Sequence, residues 1–315
     1  MAFAESRRHL RVAVLAGGES AEREVSLRSG TSVVESLAAA GHDVARVDPA
    51  HLPLGEANLP SFDACFIALH GGAGEDGSVQ AELEMLGVPY TGSGAETCRL
   101  AMSKAASKRR FMAHGVPTPR YATIDEHDSL ADVSRRAGRV GYPLVVKPDA
   151  QGSSIGVTVV YDSVELPQAL AEAKTFGGPC LLERCVQGRE FTVALLDDRP
   201  LPMIEIVTPE QVFSYDAKYH SSLTEYRFDF ALSADARAQI ERAAVAAGRA
   251  LSTAGLSRVD LMLSQEGEVG VLEVNTVPGL TVRSLAPLAA ARAGIDMPEL
   301  CDLLVRRSLA PAGVL

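Results

Sequence analysis

The sequence is poor in cysteine, and its few cysteines show no pairing pattern. They are Cys65, Cys98, Cys180, Cys185 and Cys301. Their number is odd, no Cys-x-x-Cys spacing occurs, and no cysteine stands in a cluster with histidines. These features argue against a disulfide framework and against a structural zinc site. Buried free thiols in a reducing cytosol are the simpler interpretation.

Long hydrophobic runs and an excess of positive charge are also missing. No apolar run approaches the roughly 18 residues of a membrane-spanning helix. The apolar stretch near the N-terminus is interrupted by Arg11 and ends at Gly17, so it is too short for a signal peptide. The 30 basic and 40 acidic residues give a net charge of −10, without a long basic run. We therefore expect a soluble cytoplasmic protein that binds neither membrane nor nucleic acid.

What the chain does contain is enough for several globular domains. Its 315 residues, 47% of them hydrophobic and 22% charged, correspond to two or three domains of about 150 residues. Over roughly residues 1–100, short apolar segments alternate with helical patterns, which predicts an open parallel α/β domain. We expect strands at 12–16, 42–47 and 64–69, a helix capped by Ser20 that ends near Gly41, and a second helix at 78–86.

The pattern changes after this first domain. Residues 95–114 predict one long helix, and the segments 142–147 and 157–161 predict a hairpin with a glycine- and serine-rich tip. A long loop is predicted at 213–229, and such loops are often functional. We also expect strands at 180–183, 191–196 and 202–207, a hairpin of 258–263 with 270–274, and helices at 166–176, 234–251, 285–293 and 297–308.

The segment that begins at Lys147 has the composition of a phosphate-binding loop. It reads KPDAQGSSIG and offers one lysine, the hydroxyls of Ser153 and Ser154, and unhindered N–H groups at neighbouring glycines. This combination suits a polyphosphate, because backbone donors and a lysine together bind phosphate oxygens. It is not a Walker A loop, since no Gly-Lys-Ser/Thr leads from it into a helix. An ordinary flexible hairpin tip is the alternative.

Two carboxylates and an amide fall on the last predicted hairpin. Asp260 and Glu273 lie on adjacent strands and can face one another, while Asn275 points to the same face as Glu273. Three oxygen ligands fit magnesium, which also keeps waters and takes phosphate oxygens. Two neighbouring carboxylates without a metal would repel. A solvated hairpin face is the alternative, but the apolar neighbours on both strands indicate burial.

Three further features are ambiguous on their own. Lys218 and Tyr219 stand in the long predicted loop, where they are either functional or surface decoration. Glu22 follows the first strand, where parallel α/β sheets bind ligands, and is otherwise an acid at a helix start. His70 ends the third strand and fits a structural role equally well.

Taken together, these segments resemble the ATP-grasp ligases, and among them the D-alanine–D-alanine ligases. The resemblance runs from Val12 to about Leu304 and rests on the stretches AVLAGGESAEREVSL, ALHGGAGEDGSVQAELEMLGVPYTGSG, LAMSKAASK, VVKPDAQGSSIGV, LLERCVQGREFTV, YDAKY, RVDLML and LEVNTVPGLTVRSL. It implies the ATP-grasp fold, an α/β (α+β) architecture. An N-terminal open parallel α/β domain would cover 1–101, and two α+β domains, at 102–185 and 186–315, would clasp ATP.

The resemblance also implies how ATP and metal are bound. The residues that it places around ATP are Lys104, Lys147, Ser154, Glu183, Cys185, Val186, Glu190 and Lys218. The lysines are expected to face the phosphates and Ser154 to cover them, while the others line the adenine and ribose pockets. Two Mg²⁺ ions, replaceable by Mn²⁺, are expected on Asp260, Glu273 and Asn275.

The residues expected around D-alanine come from both ends of the chain. Those that would bind substrate are Glu22, His70, Ser284 and Leu285. Glu22 would pair with the ammonium of the first D-alanine, and together with Ser153 and Tyr219 would lock a flexible loop. Ser284 and Leu285 would hold the carboxylate of the second D-alanine. The residues expected to stabilise the oxyanion of the tetrahedral intermediate are Arg258 and Gly279, the latter through its N–H.

The implied reaction has two steps. The first D-alanine attacks the γ-phosphate of ATP, which gives an acyl phosphate and ADP, and the amine of the second D-alanine then displaces phosphate. Because acyl phosphates hydrolyse, the loop near 208–230 is expected to close as a lid. The dipeptide would serve peptidoglycan synthesis, and with it the cell wall and cell shape, in the bacterial cytoplasm. A homodimer is usual for the family.

The sequence departs from the family pattern in a few places. Arg227-Phe-Asp-Phe230 stands where a Cys-Pro-Ala stretch is common, which bears on the packing of the lid. Cys185 and Val186 differ in size from the common adenine-pocket residues. Tyr219 favours the dipeptide over D-alanyl-D-lactate.

Three alternatives remain open. They are an ATP-grasp ligase for another amino acid or hydroxy acid, a nucleotide-binding protein without ligase activity, and a dinucleotide oxidoreductase. The oxidoreductase is disfavoured because the turn GGESAE lacks the GxGxxG spacing.

Overall fold

The chain forms two compact units, and the second is inserted into the first. The computed structural model describes residues 9–152, 155–208 and 224–310. Of these, 9–99, 253–258 and 276–310 belong to the first unit, and the remainder belongs to the second. The C-terminal segment therefore completes the N-terminal unit. No helix among the described residues has both the length and the apolarity needed to cross a bilayer.

The secondary structure alternates between helices and strands along most of the chain. The helices are α1 (Arg23–Ala39), α2 (Ser78–Leu86), α3 (Ala95–Met102), α4 (Lys104–Ala113), α5 (Leu130–Val140), α6 (Leu166–Lys174), α7 (Ala234–Leu251), α8 (Leu285–Arg292) and α9 (Met297–Ser308). The strands are β1 (Arg11–Leu15), β2 (Asp43–Val47), β3 (Ala64–Ile67), β4 (Tyr121–Ile124), β5 (Leu144–Pro148), β6 (Thr158–Val160), β7 (Cys180–Arg184), β8 (Gly188–Leu196), β9 (Arg199–Pro200), β10 (Ile204–Val207), β11 (Glu225–Arg227), β12 (Leu256–Ser264) and β13 (Val269–Asn275). Short 3-10 helices lie at Leu54–Glu56, Leu59–Ser61 and Gly72–Gly74.

The first unit is built on a parallel sheet, as the sequence predicts. Its strand order is β2-β1-β3, and Val12 of the central strand aligns with Val44 on one side and Ala64 on the other. Four of the five β1 residues are buried, which fits a strand covered on both faces. Helix α1 packs against α9, so the end of the chain covers this unit.

The loops after β1 and β3 are tied together by a serine. Helix α1 begins at Arg23 with Glu22 at its N-cap, so the prediction that Ser20 caps this helix is wrong. The Ser20 hydroxyl instead donates to the carbonyl of His70 at 2.5 Å and accepts the N–H of Glu22 at 3.2 Å. Tertiary hydrogen bonds here override the local preference of serine for a helix N-cap.

Asp48, directly after β2, holds the turn between β1 and α1. Its carboxylate accepts the N–H of Gly18 at 3.0 Å and the Arg23 guanidinium at 2.7 Å. Mainly through that Arg23 hydrogen bond, and against the effect of burial, the pKa of Asp48 is lowered to about 2. The turn itself requires glycine, because a Cβ on Gly17 would lie 2.5 Å from this carboxylate and the φ angle is +102°.

Replacing Asp48 with asparagine should destabilise the protein by about 1–2 kcal/mol at pH 7, because charge-assisted hydrogen bonds are lost. The pKa of Asp48 is lower in the folded state than in the unfolded chain. Its stabilisation is therefore complete above the usual carboxyl pKa of about 4 and is lost as the pH falls through about 2. Urea unfolding of the unaltered protein and of Asp48→Asn should show that the difference between their free energies of unfolding narrows from pH 7 to pH 3. Asp43→Asn, which removes an exposed pair with Arg11 at 3.4 Å, is the matched control and should cost less than about 0.5 kcal/mol.

The second unit contains two antiparallel sheets with separate cores. One has the order β4-β7-β5-β6 and packs against α5 and α6. The other has the order β11-β10-β8-β12-β13, with β9 paired to β8, and packs against α7. Strands β5 and β6 pair as the predicted hairpin, and α7 has the predicted bounds. The aromatic rings of Phe230 and Phe191 lie 5.4 Å apart, so Phe230, where the sequence departs from the family pattern, extends the second core.

Two further elements differ from their predictions. The single helix expected at 95–114 is two helices, α3 and α4, because Ser103 adopts an extended conformation and caps α4 through the N–H of Ala106. Ser103 also donates to Asp149 at 2.6 Å, and this tertiary bond fixes the break. Within the loop expected at 213–229, residues 225–227 form strand β11, paired with β10. The rest of that loop up to residue 223 lies outside the described residues.

Candidate functional site

A buried carboxylate lies between two lysines in the second unit. Glu183 on β7 lies within 2.5 Å of the Lys147 ammonium on the neighbouring strand β5, and its other carboxylate oxygen contacts Lys108 of α4. Burial alone would raise the pKa of Glu183, but the two lysines outweigh that effect and hold the pKa below its usual value. Burial would likewise lower the pKa of Lys147, but Glu183, together with Glu273 and Glu190, outweighs burial and the pKa is raised. Both groups are therefore ionised at neutral pH.

Lys104 begins helix α4 and joins the same group of charges. Its ammonium donates to the carbonyl of Gln151 at 2.5 Å and lies 3.5 Å from the carboxylate of Glu273. The N-terminus of α4 is anchored by Asp149, which accepts the N–H of Ala105 at 2.7 Å. Because Asp149 follows strand β5 directly, this contact sets the start of α4 beside the strand end that carries Lys147. Two of the three lysines that the resemblance assigns to phosphate, Lys104 and Lys147, are thus held near the same carboxylate, Glu273.

The predicted metal ligands lie on neighbouring strands of the larger sheet. Val259 and Leu261 on β12 pack in its core, so the alternating Asp260 points to the opposite face. Asp260 is buried and accepts the Thr192 hydroxyl at 2.6 Å. Glu273 on β13 is close enough to Lys147 to contribute to the raised pKa of that lysine.

The donor chemistry of these strands fits magnesium. No group of three or more His, Cys, Asp and Glu side chains in the described ranges is arranged to hold a metal ion. A zinc-type cluster is therefore not found in this part of the chain. Two carboxylates and one amide, completed by water and phosphate oxygens, form the kind of oxygen site that Mg²⁺ accepts.

In the first unit, Glu22 lies against the glycine-rich loop that follows β3. The Glu22 side chain is buried, and a Cβ added to Gly71 would come within 2.7 Å of its carboxylate oxygen. Gly71 also has a φ angle of +65°, so only glycine fits this position without strain. The carboxylate thus lies at the C-terminal edge of the parallel sheet, where such sheets bind ligands.

His70 and Ser29 hold the loop around Gly279. The Nδ1–H of His70 donates to the carbonyl of Val277 at 3.2 Å, which makes Nε2 the acceptor of the Ser29 hydroxyl at 2.8 Å. The same Ser29 oxygen accepts the N–H of Leu280 at 3.2 Å. Both ring nitrogens of His70 are therefore engaged, and the loop is fixed on either side of Gly279. These contacts give His70 the structural role that the sequence left open.

Ser284 and its neighbours form a compact turn at the start of α8. Ser284 is the N-cap of α8, yet its side chain accepts the N–H of Thr281 at 3.2 Å rather than one from the helix. The Thr281 hydroxyl lies 2.8 Å from the Ser284 oxygen. A Cβ on Gly279 would lie 2.8 Å from that oxygen, so glycine brings this turn close to the loop backbone. Leu285, the first residue of α8, is buried.

The remaining predicted residues fall into two groups. Cys185, Val186 and Glu190 are half-buried on the segment from β7 to β8, and Glu190 also raises the pKa of Lys147 electrostatically. Arg258 lies on β12 and is half-buried. The residues that lie outside the described part of the chain are Ser153, Ser154, Lys218 and Tyr219.

Three side chains that support these groups have no role in the sequence-based prediction. Lys108 stands one helical turn after Lys104, a spacing that places both on one face of α4. Ser29 is a fully buried polar residue of α1, and Thr192 is nearly as buried on β8. The lysine spacing was a usable signal, whereas nothing in the local sequence distinguishes this serine and threonine from others.

Comparisons with known proteins agree with this picture over nearly the whole chain. Family profiles described as D-ala D-ala ligase N-terminus and C-terminus match residues 46–93 and 111–306. The D-alanine–D-alanine ligase of Stutzerimonas stutzeri is 45% identical over 299 residues, which cover 95% of this chain and 94% of that protein.

Solved structures extend the similarity to the fold. A D-alanine–D-alanine ligase from Bacillus anthracis complexed with ATP has a TM-score of 0.83 and 31% identity, covering 95% of this chain and 97% of the other. The VanG D-Ala:D-Ser ligase of Enterococcus faecalis has a TM-score of 0.84 and 26% identity, covering 96% and 100%. The shared length, architecture and motif residues show that this chain belongs to the D-alanine–D-alanine ligase family and has the ATP-grasp fold.

Proposed function

We propose that the protein joins two D-alanine molecules into D-alanyl-D-alanine and converts ATP to ADP and phosphate. The observation that carries this proposal is the proximity of both Lys104 and Lys147 to Glu273 in the second unit. Two lysines beside an oxygen-ligand set suit a nucleotide triphosphate with its divalent cation. In a chain of this family, that arrangement supports ATP-driven ligation over simple nucleotide binding.

ATP is proposed to bind along the second unit. Lys104 and Lys147 neutralise phosphate charge, and Ser154 and Lys218 complete that contact from their loops. The adenine and ribose pockets are assigned to the half-buried segment that carries Cys185, Val186 and Glu190, with Glu183 at its start. Glu183 reaches the nucleotide mainly through Lys147, since its carboxylate is buried against lysines.

Magnesium is proposed to bind to Asp260, Glu273 and Asn275, with Mn²⁺ as a substitute. The hydrogen bond from Thr192 keeps the Asp260 carboxylate oriented, and Lys104 balances part of the charge of Glu273. When bound, the ion would offset the negative charge that develops on the transferred phosphoryl group. Two ions per site are proposed, as the resemblance implies.

The two D-alanine molecules are proposed to be held by residues of the first unit. Glu22 is proposed to pair with the ammonium of the first, and its proposed hydrogen-bond partners are Ser153 and Tyr219, which lie outside the first unit and outside the described residues. The α8 N-terminus, with the Ser284 hydroxyl and the Leu285 N–H, receives the carboxylate of the second, because a helix start attracts anions. His70 is assigned to this substrate region through the loop that it fixes.

The reaction then proceeds in two balanced steps. A carboxylate oxygen of the first D-alanine attacks the γ-phosphorus of ATP, and the bond from that phosphorus to the bridging oxygen of ADP breaks. The amine of the second D-alanine attacks the resulting acyl phosphate carbon, and the proton that its nitrogen loses ends on the departing phosphate. Arg258 and the Gly279 N–H stabilise the tetrahedral oxyanion. The carbon–oxygen bond to phosphate then breaks, which releases phosphate and the dipeptide.

Several broader assignments accompany this function. We propose that the product serves peptidoglycan synthesis in the bacterial cytoplasm, that the loop near 208–230 closes over the acyl phosphate, and that the protein is a homodimer. The division at 1–101, 102–185 and 186–315 is likewise kept as a proposal about domains. The two sheets of the second unit have separate cores, which supports the proposed boundary between 102–185 and 186–315.

Replacing Ser29 with alanine should lower kcat by about tenfold or more while leaving the KM for ATP within about twofold. The variant removes the hydroxyl that both His70 and the Leu280 N–H contact. The loop that positions Gly279 then becomes less rigid, which weakens the proposed hydrogen bond from the Gly279 N–H to the oxyanion. Ser26→Ala is a matched control, because Ser26 is an equally buried serine of α1 whose hydroxyl donates to Ala68 instead. Equal losses of kcat in both variants would contradict this role.

The proposed function is tested by phosphate release from ATP and Mg²⁺ in the presence of D-alanine, L-alanine, D-serine or D-lactate. We expect turnover with D-alanine and a product with the mass of the dipeptide. The absence of D-alanine-dependent phosphate release would refute the proposal. Faster turnover with D-alanine plus D-serine would instead favour the activity named for the VanG neighbour.

A further inference from the structure

The proposed mechanism gives no role to Lys108. Among the charged residues of the described part of the chain, Lys108 is the most deeply buried. Its side chain is 1% exposed, whereas that of Lys147 is 14% exposed. Lys108 donates to the Thr118 hydroxyl at 2.6 Å and contacts the carboxylate of Glu183. Thr118 in turn donates to the carbonyl of Val271 on β13 at 2.8 Å. These contacts fix the ammonium in place and leave it no route to a bound ligand.

The two lysines use different oxygens of Glu183. Lys147 contacts Oε1 and Lys108 contacts Oε2, so one carboxylate with a charge of −1 is shared by two ammonium groups. Burial lowers the pKa of Lys108, and the contact with Glu183 opposes that effect. With Lys108 protonated, the three groups together carry a net charge of +1. If Glu183 had Lys147 as its only partner, the pair would be neutral, and the phosphate side of Lys147 would offer little attraction to an anion.

We propose that Lys108 is a positioning residue that neutralises Glu183 from the interior, so that the charge of Lys147 remains available to the phosphates of the nucleotide. This inference rests on the proposed function, since it takes ATP as the ligand of Lys147. Lys108 acts through Glu183 and touches neither substrate nor metal. Its burial allows this role, because a lysine without access to solvent or ligand cannot compete with Lys147 for the phosphates.

A purely structural lysine would give different results. In that case Lys108→Met would lower the melting temperature, and any loss of activity would follow the loss of folded protein. Our inference predicts a selective effect on the nucleotide. The KM and Kd for ATP should rise by about tenfold or more, the size expected for losing one partly screened charge nearby, while the KM values for D-alanine change by less than about threefold.

Two further variants isolate the charge. Thr118→Val keeps the Lys108 charge and removes its hydrogen bond, so ATP binding should stay within about threefold of the unaltered protein. Lys108→Met combined with Glu183→Gln removes both charges and restores the net charge of +1 on Lys147. This double variant should bind ATP more tightly than Lys108→Met alone.

The experiment measures ATP binding by calorimetry, steady-state kinetics for ATP and D-alanine, and the melting temperature of each variant. Recovery of ATP affinity in the double variant supports the inference. A double variant that binds ATP as weakly as Lys108→Met, or a single variant with unchanged ATP binding, overturns it. If Lys108→Met does not fold, Glu183→Gln becomes the reference for the double variant. Adding Lys108→Met to Glu183→Gln should then change the ATP Kd by less than about threefold, because Lys108 has no carboxylate left to neutralise, and a larger loss overturns the inference. Unaltered protein that binds ATP but shows no D-alanine-dependent turnover would refute the proposed function alone.

Discussion

Arg258→Ala is expected to lower D-alanine-dependent kcat by about 100- to 1,000-fold, the usual cost of removing one oxyanion donor. ATP binding should stay within a few-fold, because Arg258 is assigned to the second step and not to the nucleotide. Arg258 is half-buried on β12, between the buried residues Ser257 and Val259. The strand therefore fixes the backbone from which the Arg258 side chain extends. Steady-state kinetics and ATP calorimetry on the same preparation provide the two measurements.

Arg258→Lys is the matched control for this prediction. Lysine keeps the positive charge and loses the rigid fork of donors, so we expect an intermediate kcat. Loss of ATP binding and turnover to the same extent in Arg258→Ala would show that the arginine supports the fold of β12 instead. A normal kcat in the alanine variant would remove Arg258 from the mechanism.

Asp260→Asn is expected to have an effect of similar size, but through the metal. The variant removes one of two carboxylates from the proposed magnesium site, so the Mg²⁺ concentration for half-maximal activity should rise by more than about 100-fold. Direct Mn²⁺ binding, followed by electron paramagnetic resonance without ATP, gives a second readout that does not depend on activity. Unchanged metal affinity in that experiment would exclude Asp260 as a ligand.

Thr192→Val separates the orientation of the carboxylate from its charge. The variant removes the hydroxyl that donates to Asp260 at 2.6 Å and keeps the carboxylate itself. We expect a smaller loss of metal affinity, of about 10- to 100-fold, as is usual for partners of metal ligands. A loss as large as that of Asp260→Asn would indicate that the threonine shapes the strand and does more than orient one side chain.

The candidate site was only partly predictable, because the sequence shows the chemistry of each side chain but does not show which residues contact one another in the fold. The lysines and acids that matter are visible as side chains of the right chemistry after predicted strands. The resemblance assigns Glu183 to the adenine pocket, and the structure adds that Lys108 and Lys147 contact its carboxylate. Local sequence could not predict the Lys147 contact, because it depends on β5 and β7 being adjacent in the sheet while Lys147 and Glu183 are 36 residues apart in sequence.

The secondary structure shows the same division. Helix α2 ends where the sequence predicts, at a C-terminal glycine, and helix α7 begins where the sequence predicts, at an N-terminal serine cap. Both caps and the apolar spacing are local signals, so they can be read without the fold. The break between α3 and α4 was missed, since it depends on Asp149 accepting from Ser103, a contact 46 residues away in sequence. Ser20 has the side chain of a helix cap, but the carbonyl of His70 competes for it.

The sequence by itself determined the parallel sheet of the first unit, the oxygen and lysine chemistry of the second, and the family resemblance. Apolar alternation and motif composition are carried by neighbouring residues, so they need no knowledge of the fold. Only the tertiary structure decided that the C-terminal segment completes the first unit, that Ser29 and His70 hold the loop around Gly279, and that Lys108 shares Glu183. Those contacts join residues as much as 251 positions apart, and a buried polar group takes whichever partner packing brings within reach.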